Sequence, residues 1–223
     1  MANKAEPRQF ESVPDSIFSV EAMRLAMDTP WKVRIQIERL LYTPIAMLQF
    51  AIAGLEIDKG WRCYGLPIIQ KHRRSTMHVG KNAGLRSAVY SNPLGVNRPC
   101  ILSTRRVGAE LIIGDDFGMT GGSIVCEEKI HIGNRVWMGA NSIIADTDFH
   151  PLNPHERQEN PLNGATAPVI IEDDVFIGMQ VLILKGVTIG AGSVIGAGSV
   201  VTRNIPAGMI AAGNPAKVIR AHE

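Results

Sequence analysis

The chain has 223 residues, 45% of them hydrophobic and 20% charged, with a formal net charge of +2. This composition excludes an intrinsically disordered chain, and the length suits one repeat domain with a modest extension. Lys and Arg are dispersed along the sequence, so no nucleic-acid partner is expected. Cys63, Cys100 and Cys126 lack CxxC spacing, which argues against a disulfide framework and against a structural zinc site.

The N-terminal region shows no pattern of export or membrane insertion. The chain opens without a basic, apolar leader, so we expect a cytoplasmic protein. The longest uncharged run, residues 40–55, contains Pro44 and is too short to cross a bilayer. We interpret it as a buried segment in preference to an amphipathic element on a membrane surface.

Residues 1–53 predict an N-terminal extension that is partly helical. Residues 1–15 are polar and contain two prolines, which predicts a loose arm. Apolar residues at helical spacing predict a helix over residues 16–28, stopped by Pro30. Residues 31–42 fit both strand alternation and one face of a helix, and we favour the helix.

Residues 54–220 predict one β-helical domain. Gly and β-branched residues alternate at short intervals from residue 54 onward, and aliphatic residues then recur at six-residue spacing. One series is Ile101, Val107, Ile113, Met119 and Val125, and after a slip of one residue the next is Ile132, Met138 and Ile144.

The period is strictest between Ile171 and Ile205. An aliphatic side chain stands at every sixth position: Ile171, Ile177, Ile183, Ile189, Ile195 and Val201. Neither a helix nor an ordinary strand has this period. Units of one short strand and one corner are typical of a parallel β-helix, in which three units close a triangular turn of about eighteen residues. The predicted fold class is therefore all-β.

The spacing between Ile144 and Ile171 is not a multiple of six, so the chain must leave the coil between them. Residues 151–168 are rich in proline and polar residues and predict an exposed loop thrown out of the β-helix. A long loop on a rigid repeat scaffold is a frequent place for functional residues.

His150 is the histidine that its position singles out, because the six-residue series places it in a core position where the chain leaves the coil. An imidazole that faces a groove while a neighbour holds one ring nitrogen can act as a general base. Asp146 and Asp148 alternate with His150, so on a strand all three would face one side and a carboxylate could orient the ring. Glu127 and Glu128, about one coil below, are alternative partners, and the choice stays open.

The histidines also allow a metal-site hypothesis. His131, His150 and His155 could hold zinc across subunits, as in the γ-class carbonic anhydrases. The sequence lacks the His-Gly-Cys segment of that family, so we predict that no metal is required. Cations near the C-terminal end favour a phosphate site instead, namely Arg203, Lys217 and Arg220.

Three segments resemble the hexapeptide-repeat acyltransferases. They are GDDFGMTGGSIV, VWMGANSIIADTDFHPL and the stretch from VFIGMQ to AKVIR, and the likeness covers residues 109–220 well and 54–108 loosely. Within that superfamily they are most similar to the maltose and galactoside acetyltransferases and to the capsular-polysaccharide O-acetyltransferases.

The resemblance implies a left-handed β-helix that assembles as a homotrimer, with each active site in the groove between neighbouring subunits. By motif position, His150 corresponds to the general base of the family. Positions that line coenzyme A correspond to Gly178, Ala197, Thr202, Arg203, Lys217 and Arg220. Residues 120–123 stand where the family often has an Asn near the acceptor, and the N-terminal region also differs, which points to another acceptor.

The sequence thus predicts an acetyl-CoA-dependent O-acetyltransferase that acts on a hydroxyl of a sugar or cell-surface polysaccharide. His150 would deprotonate the hydroxyl for direct attack on the thioester, and a backbone N–H near Gly178 would stabilise the oxyanion. The alternatives are a zinc-dependent enzyme like the γ-class carbonic anhydrases, or a non-catalytic β-helix that serves as an assembly subunit.

Overall fold

The computed structural model describes residues 20–222, apart from the side chains of residues 21, 22 and 25. The loose arm predicted over residues 1–15 and the start of the helix predicted at Ser16 lie outside the described residues. The chain divides into two compact units that meet between Ile37 and Glu38.

The N-terminal extension was predicted to be partly helical, and it contains two helices within the described residues. Helix α1 spans Val20–Asp28, and helix α2 spans Pro30–Ile52, which is longer than the predicted 31–42. Pro30 begins α2, where its missing N–H costs no hydrogen bond. Within residues 20–222 we find no helix that combines the length and the apolar character needed to cross a membrane.

In the second unit, the part of α2 from Glu38 onward has one buried face. Ala46 and Phe50 are fully buried, and the Phe50 ring meets Trp61 edge-on at 4.7 Å. The opposite face exposes large apolar side chains, including Leu40, Leu48 and Ile52. The predicted burial of residues 40–55 is therefore correct for one face and wrong for the other.

The remainder of the second unit is a left-handed parallel β-helix with three sheets. The six-residue period predicted the β-helix, and the resemblance to the hexapeptide-repeat acyltransferases implied its left hand. Sheet A contains β1 (Arg62–Tyr64), β4 (Gly84–Arg86), β7 (Gly118–Thr120), β10 (Trp137–Met138), β13 (Phe176–Ile177), β16 (Val194–Ile195), β18 (Met209–Gly213) and β19 (Ala216–Ala221). Sheet B contains β2 (Ile68–Lys71), β5 (Ile101–Thr104), β8 (Ser123–Cys126), β11 (Ile143–Ala145), β14 (Leu182–Ile183) and β17 (Val200–Val201). Sheet C contains β3 (Thr76–Val79), β6 (Glu110–Ile113), β9 (Lys129–Ile132), β12 (Val169–Ile171) and β15 (Thr188–Ile189).

The core is a stack of aliphatic side chains, one from each strand of a coil. Register pairs such as Ile177 with Ile195 and Ile183 with Val201 place equivalent residues directly above one another. All four of these side chains are fully buried. The period of six arises because each strand contributes one inward residue and the corner that follows uses the rest. Strand β19 runs antiparallel to β18 and closes the C-terminal edge of sheet A.

The period was read less accurately in the first coils. Leu102 and Ile124 fill the core where Ile101 and Val125 were predicted, and Val107 is exposed. Chain order within one coil runs from sheet A to sheet B to sheet C, so we name the turns the A–B, B–C and C–A corners.

Two loops leave the coil. The predicted loop leaves the B–C corner between β11 and β12, and it contains helix α3 (Pro154–Glu159), whose N-cap is the side chain of Asn153. A second loop, residues 87–100, leaves the A–B corner between β4 and β5, within a stretch where the sequence indicated β structure with loops but no clear period. It contains a 3-10 turn, Val89–Ser91, and its backbone is anchored on Asn141 of a later coil, whose Oδ1 accepts from the Asn97 N–H at 2.8 Å.

Candidate active site

His150 follows the last strand of sheet B before the B–C loop. Strand β11 ends at Ala145, and Phe149 has a positive φ of 62°, so residues 146–150 are not a strand. His150 is exposed and not in the core position that the period predicted. The reason is local: the turn at Phe149 redirects the chain out of the coil before His150 is reached.

The imidazole of His150 is anchored through one ring nitrogen. Its Nδ1 lies within hydrogen-bond distance of the carbonyl oxygen of Pro161, farther along the same loop. A carbonyl oxygen can only accept, so Nδ1 is the protonated nitrogen of the neutral ring and Nε2 carries the lone pair. This arrangement fixes the tautomer that a general base needs.

The backbone at His150 is held from several sides. The Phe149 N–H donates to Thr147 Oγ1 at 2.9 Å, and the His150 N–H donates to the Asp148 carbonyl at 2.7 Å. Gly164, in the returning arm of the loop, packs directly on this turn. A Cβ added to Gly164 would lie 2.6 Å from the backbone nitrogen of His150. Glycine is therefore required there for the two arms to approach.

The two predicted aspartates have other partners. Asp146 is fully buried, and its carboxylate accepts from the backbone N–H groups of Glu127 and Glu128, each at 2.8 Å. Asp148 Oδ1 pairs with Lys185 Nζ at 3.0 Å. The described partner of the imidazole is thus the Pro161 carbonyl and neither carboxylate, because the strand alternation that would have aligned them is absent.

A cleft of about 280 Å³ opens beside His150. Its lining includes Glu127, whose side chain is only 6% exposed, and two arginines that bind it. Arg105 Nε lies 3.2 Å from Glu127 Oε1, and Arg106 Nε lies 2.8 Å from Oε2. Phe149 and Leu162 complete the lining, so the cleft combines an imidazole, an ion-pair cluster and two apolar side chains.

Glu127 also supports the turn that carries His150. Thr147 Oγ1 donates to Glu127 Oε2 at 3.0 Å while accepting the Phe149 N–H. Arg106 donates through Nη2 to the Leu162 carbonyl at 2.7 Å, which ties the loop to the coil. Glu127 has no described hydrogen bond to the His150 ring, but through Thr147 it supports the turn that carries His150.

The six predicted coenzyme A positions do not form one cluster within a chain. Gly178 is buried and Ala197 is exposed, on successive turns of the A–B corner. Thr202 and Arg203 are exposed at the B–C corner after β17, on the same edge as His150. The exposed Lys217 and Arg220 lie on β19. Gly178 and Ala197 are therefore separated from His150 by the width of sheet B.

The A–B corner carries backbone N–H groups of two kinds. The N–H of Gly178 donates to the Ile195 carbonyl at 2.8 Å, so it is committed to the coil. The N–H groups of Met179 and Ala197 donate to no acceptor among residues 20–222 in the structure. The predicted oxyanion donor near Gly178 would have to be one of these two neighbouring amides.

The three histidines of the zinc hypothesis are dispersed in one chain. His131 lies on β9 in sheet C, and His155 lies on α3. In the described part of the chain, no three His, Cys, Asp or Glu side chains are grouped as a metal site.

Sequence reasoning missed Arg105, Arg106 and Pro161. Register pairs Thr104 with Cys126, so Arg105 and Arg106 stand on the same corner as Glu127. The adjacent arginines were a signal, but the one-residue error in phase hid that stacking.

Comparison with known proteins agrees with this architecture. The profile of the bacterial transferase hexapeptide family, which comprises six repeats, matches residues 168–203. A Schizosaccharomyces pombe protein named as a candidate acetyltransferase is 50% identical over 91 residues, which are 41% of this chain and 42% of the relative. This chain belongs to the hexapeptide-repeat acetyltransferase superfamily.

Other members of the superfamily differ in their named chemistry. A Staphylococcus aureus 2,3,4,5-tetrahydropyridine-2,6-dicarboxylate N-acetyltransferase is 41% identical over 88 residues, or 40% of this chain and 31% of the relative. The match thus spans less than half the length of these two curated relatives.

Two solved structures extend the comparison. A maltose O-acetyltransferase from Clostridium difficile 630 is 30% identical, with 74% of this chain and 71% of that chain covered and a TM-score of 0.45. A mutant of AntD, an N-acyltransferase from Bacillus cereus, was solved with dTDP and coenzyme A. It is 20% identical over 74% of this chain and 83% of its own, with a TM-score of 0.55, and shares the fold.

Proposed function

We propose that this protein is an acetyl-CoA-dependent O-acetyltransferase that acetylates a hydroxyl of a sugar or cell-surface polysaccharide. The observation that carries the proposal is His150 beside the cleft, with Nδ1 bound to the Pro161 carbonyl and Nε2 left as the basic nitrogen. The sequence identity to a maltose O-acetyltransferase supports oxygen as the acceptor atom.

The proposed reaction needs a general base and an acceptor hydroxyl that is positioned against the thioester carbonyl. Nε2 of His150 accepts the hydroxyl proton as the acceptor oxygen attacks the thioester carbonyl carbon. The carbon–sulfur bond then breaks, and His150 returns the proton to the departing thiolate, so no group on the enzyme is consumed. The amides of Met179 and Ala197 are suited to the oxyanion because they have no partner among the described residues. Asp146 and Asp148 are proposed to shape the turn that presents His150.

Coenzyme A is proposed to bind along Gly178, Ala197, Thr202, Arg203, Lys217 and Arg220. These residues fit the group because four offer a cation or a hydroxyl, all exposed. The other two, Gly178 and Ala197, form a small-residue corner beside the Met179 and Ala197 amides, which have no acceptor among the described residues. They lie on more than one edge of the coil, so we propose that two subunits of a homotrimer build each site. His150 would come from one subunit and the A–B corner from its neighbour.

Coenzyme A release from acetyl-CoA, followed with a thiol reagent across a panel of sugars and glycans, tests the activity. We expect acceptor-dependent release in the wild type and at least a hundredfold loss in His150→Ala, since a positioned base contributes about 10²–10⁴. Coenzyme A release that survives in His150→Ala would overturn the assignment of His150 as the general base. A wild type that neither releases coenzyme A nor binds acetyl-CoA would favour the non-catalytic β-helix, and bound zinc would revive the metal hypothesis.

Coexpression tests the shared site. His150→Ala and Ala197→Asp chains are each expected to be inactive, because one lacks the base and the other repels phosphate. In randomly mixed trimers, roughly one quarter of the sites would pair an intact histidine with an intact A–B corner and regain activity. No recovery in assemblies that verifiably mix would show that each site is built from one chain.

N-acetyl transfer is the second candidate, favoured by the 41% identity to an N-acetyltransferase. A neutral amine needs no base before it attacks, but it must lose a proton afterward. Matched acceptors that differ only in an amino group or a hydroxyl at one ring carbon separate the two reactions. Faster coenzyme A release with the amino acceptor would show that the enzyme acetylates nitrogen and not oxygen.

A further inference from the structure

The cleft beside His150 holds more positive charge than its own carboxylate neutralises. Among the side chains that line the cleft, Arg105 and Arg106 share the single carboxylate of Glu127. The carboxylate of Asp146, which is fully buried, binds the backbone N–H groups of Glu127 and Glu128. On the same edge, the Asp148 carboxylate is matched by one cation, Lys185. One arginine would suffice to pair Glu127, so the second cation calls for an explanation beyond the structural ion pair.

Glu127 also orients the two guanidinium groups. Arg105 donates its Nε–H to Glu127 Oε1 at 3.2 Å, and Arg106 Nε lies 2.8 Å from Oε2 as an ion pair, so neither contact uses a terminal nitrogen. Arg106 commits Nη2 to the Leu162 carbonyl, whereas its Nη1 and both terminal nitrogens of Arg105 have no acceptor within residues 20–222. The side chain of Arg105 is 48% exposed and that of Arg106 is 37% exposed, so these donors can reach a ligand.

A guanidinium fork that a buried carboxylate holds in place is suited to a carboxylate or phosphate. The cleft lies at the small end of the volume range of ligand sites, so an anion bound by the arginines must lie close to any hydroxyl that meets His150. Phe149 lies in the same cleft with the Arg105 guanidinium 5.9 Å above its ring centroid, and the exposed part of its side chain offers an apolar contact to a sugar bound by that arginine.

We infer that the acceptor is an anionic sugar residue, which carries a carboxylate or phosphate on the same unit as the hydroxyl that is acetylated. Arg105 and Arg106 bind this anion and are specificity-determining residues. The inference rests on the proposed acetyltransferase function and narrows its substrate class. The arginine pair could otherwise bind a phosphate of coenzyme A, so the experiment measures both substrates.

The test compares matched acceptors by steady-state coenzyme A release. The acceptors are methyl galactoside, methyl galacturonoside and methyl galactoside 6-phosphate, with the corresponding glucosides. We expect kcat/KM to be about 10- to 100-fold higher for one or both anionic members, the size of a charge-assisted hydrogen bond. The acceptor with the higher kcat/KM, the uronoside or the 6-phosphate, shows whether the arginines select a carboxylate or a phosphate.

Arg105→Gln is the main variant, because this half-exposed side chain makes one described bond to Glu127. We expect KM for the anionic acceptor to rise about 10- to 100-fold. The KM for acetyl-CoA should stay within about twofold, and the ratio of kcat/KM for the anionic sugar to that for the neutral sugar should fall by the same roughly 10- to 100-fold. Arg106→Lys keeps the charge and loses the fork, so it provides a second, milder variant. Arg62→Gln, an exposed cation on β1 in another sheet, is the control.

Each outcome decides a separate claim. Equal kcat/KM for the neutral and anionic members in the wild type would overturn the inference while leaving the acetyltransferase proposal intact. A rise in the KM for acetyl-CoA in Arg105→Gln would assign the arginines to coenzyme A and also overturn it. Loss of all release in the wild type would instead remove the proposed function itself.

Discussion

Gly164→Ala would test whether the fit between the two arms of the B–C loop positions His150. The added Cβ would lie 2.6 Å from both the His150 nitrogen and the Phe149 carbonyl carbon. Carbon atoms pack at about 3.5 Å or more, so the arms must separate by nearly 1 Å. Both contacted atoms belong to backbone, so no side-chain rotation can relieve the overlap.

The shift would act directly on the reacting geometry. A displacement of about 1 Å at a catalytic group can cost about a hundredfold, so we expect kcat to fall about 10- to 100-fold. Overpacking of this kind costs about 1–3 kcal/mol of stability, which leaves a folded protein. The KM for acetyl-CoA should change by no more than about twofold, because the proposed coenzyme A residues lie outside this loop. The KM for the acceptor should rise, because Phe149 is displaced and lines the cleft.

The assay is steady-state coenzyme A release, with thermal unfolding of the same samples. Gly84→Ala is the control, because its Cβ would meet its nearest neighbours at 3.9 and 4.0 Å on a backbone without positive φ. An unchanged kcat in a folded Gly164→Ala would refute the reasoning that this contact holds the base in position.

Three further predictions concern stability. Ile183→Ala should lower the free energy of unfolding in urea by about 2–5 kcal/mol, because the Ile183 side chain is fully buried. Leu182→Ala, at a half-buried neighbour, should cost less than half as much. Equal losses would contradict the inward orientation assigned to Ile183. Asp146→Asn removes one of two charged acceptors for buried amides and should cost about 1–3 kcal/mol while leaving the pH profile of activity unchanged; a shifted profile at full stability would show that Asp146 tunes the base. Burial raises the pKa of the Cys100 thiol from 9.0 to about 11, so the unfolded chain loses this proton first as the pH rises. The free energy of unfolding should then fall by about 1.4 kcal/mol per pH unit between about pH 9 and about pH 11 relative to Cys100→Ala. Parallel pH curves for the two proteins would rule this out.

The regular coils were readable from the sequence because each unit obeys the same local geometry. From Ile171 to Val201 every sixth residue enters the core, and the corners all have one length. In the earlier coils the corners differ. Gly121 and Gly122 both have positive φ and form a shorter A–B corner, which shifts the inward position from Val125 to Ile124. A period alone cannot reveal a corner that omits a residue.

The N-terminal helix shows a different limit. The apolar residues of α2 predicted a helix and a buried segment, but periodicity cannot tell which apolar face will be covered. Ala46 and Phe50 are buried because the first coil offers them Trp61, and the other face has no comparable neighbour in the second unit. Burial there is decided by the neighbour and not by the helix.

The sequence by itself determined the β-helix, the position where the loop leaves it and the candidate base, because those depend on local spacing. Only the tertiary structure decided what surrounds His150. The Pro161 carbonyl meets the ring because a turn at Phe149 folds the loop back. Arg105 reaches Glu127 because successive coils stack in register. Such contacts join residues that are distant in the chain, and they arise only when the coils close.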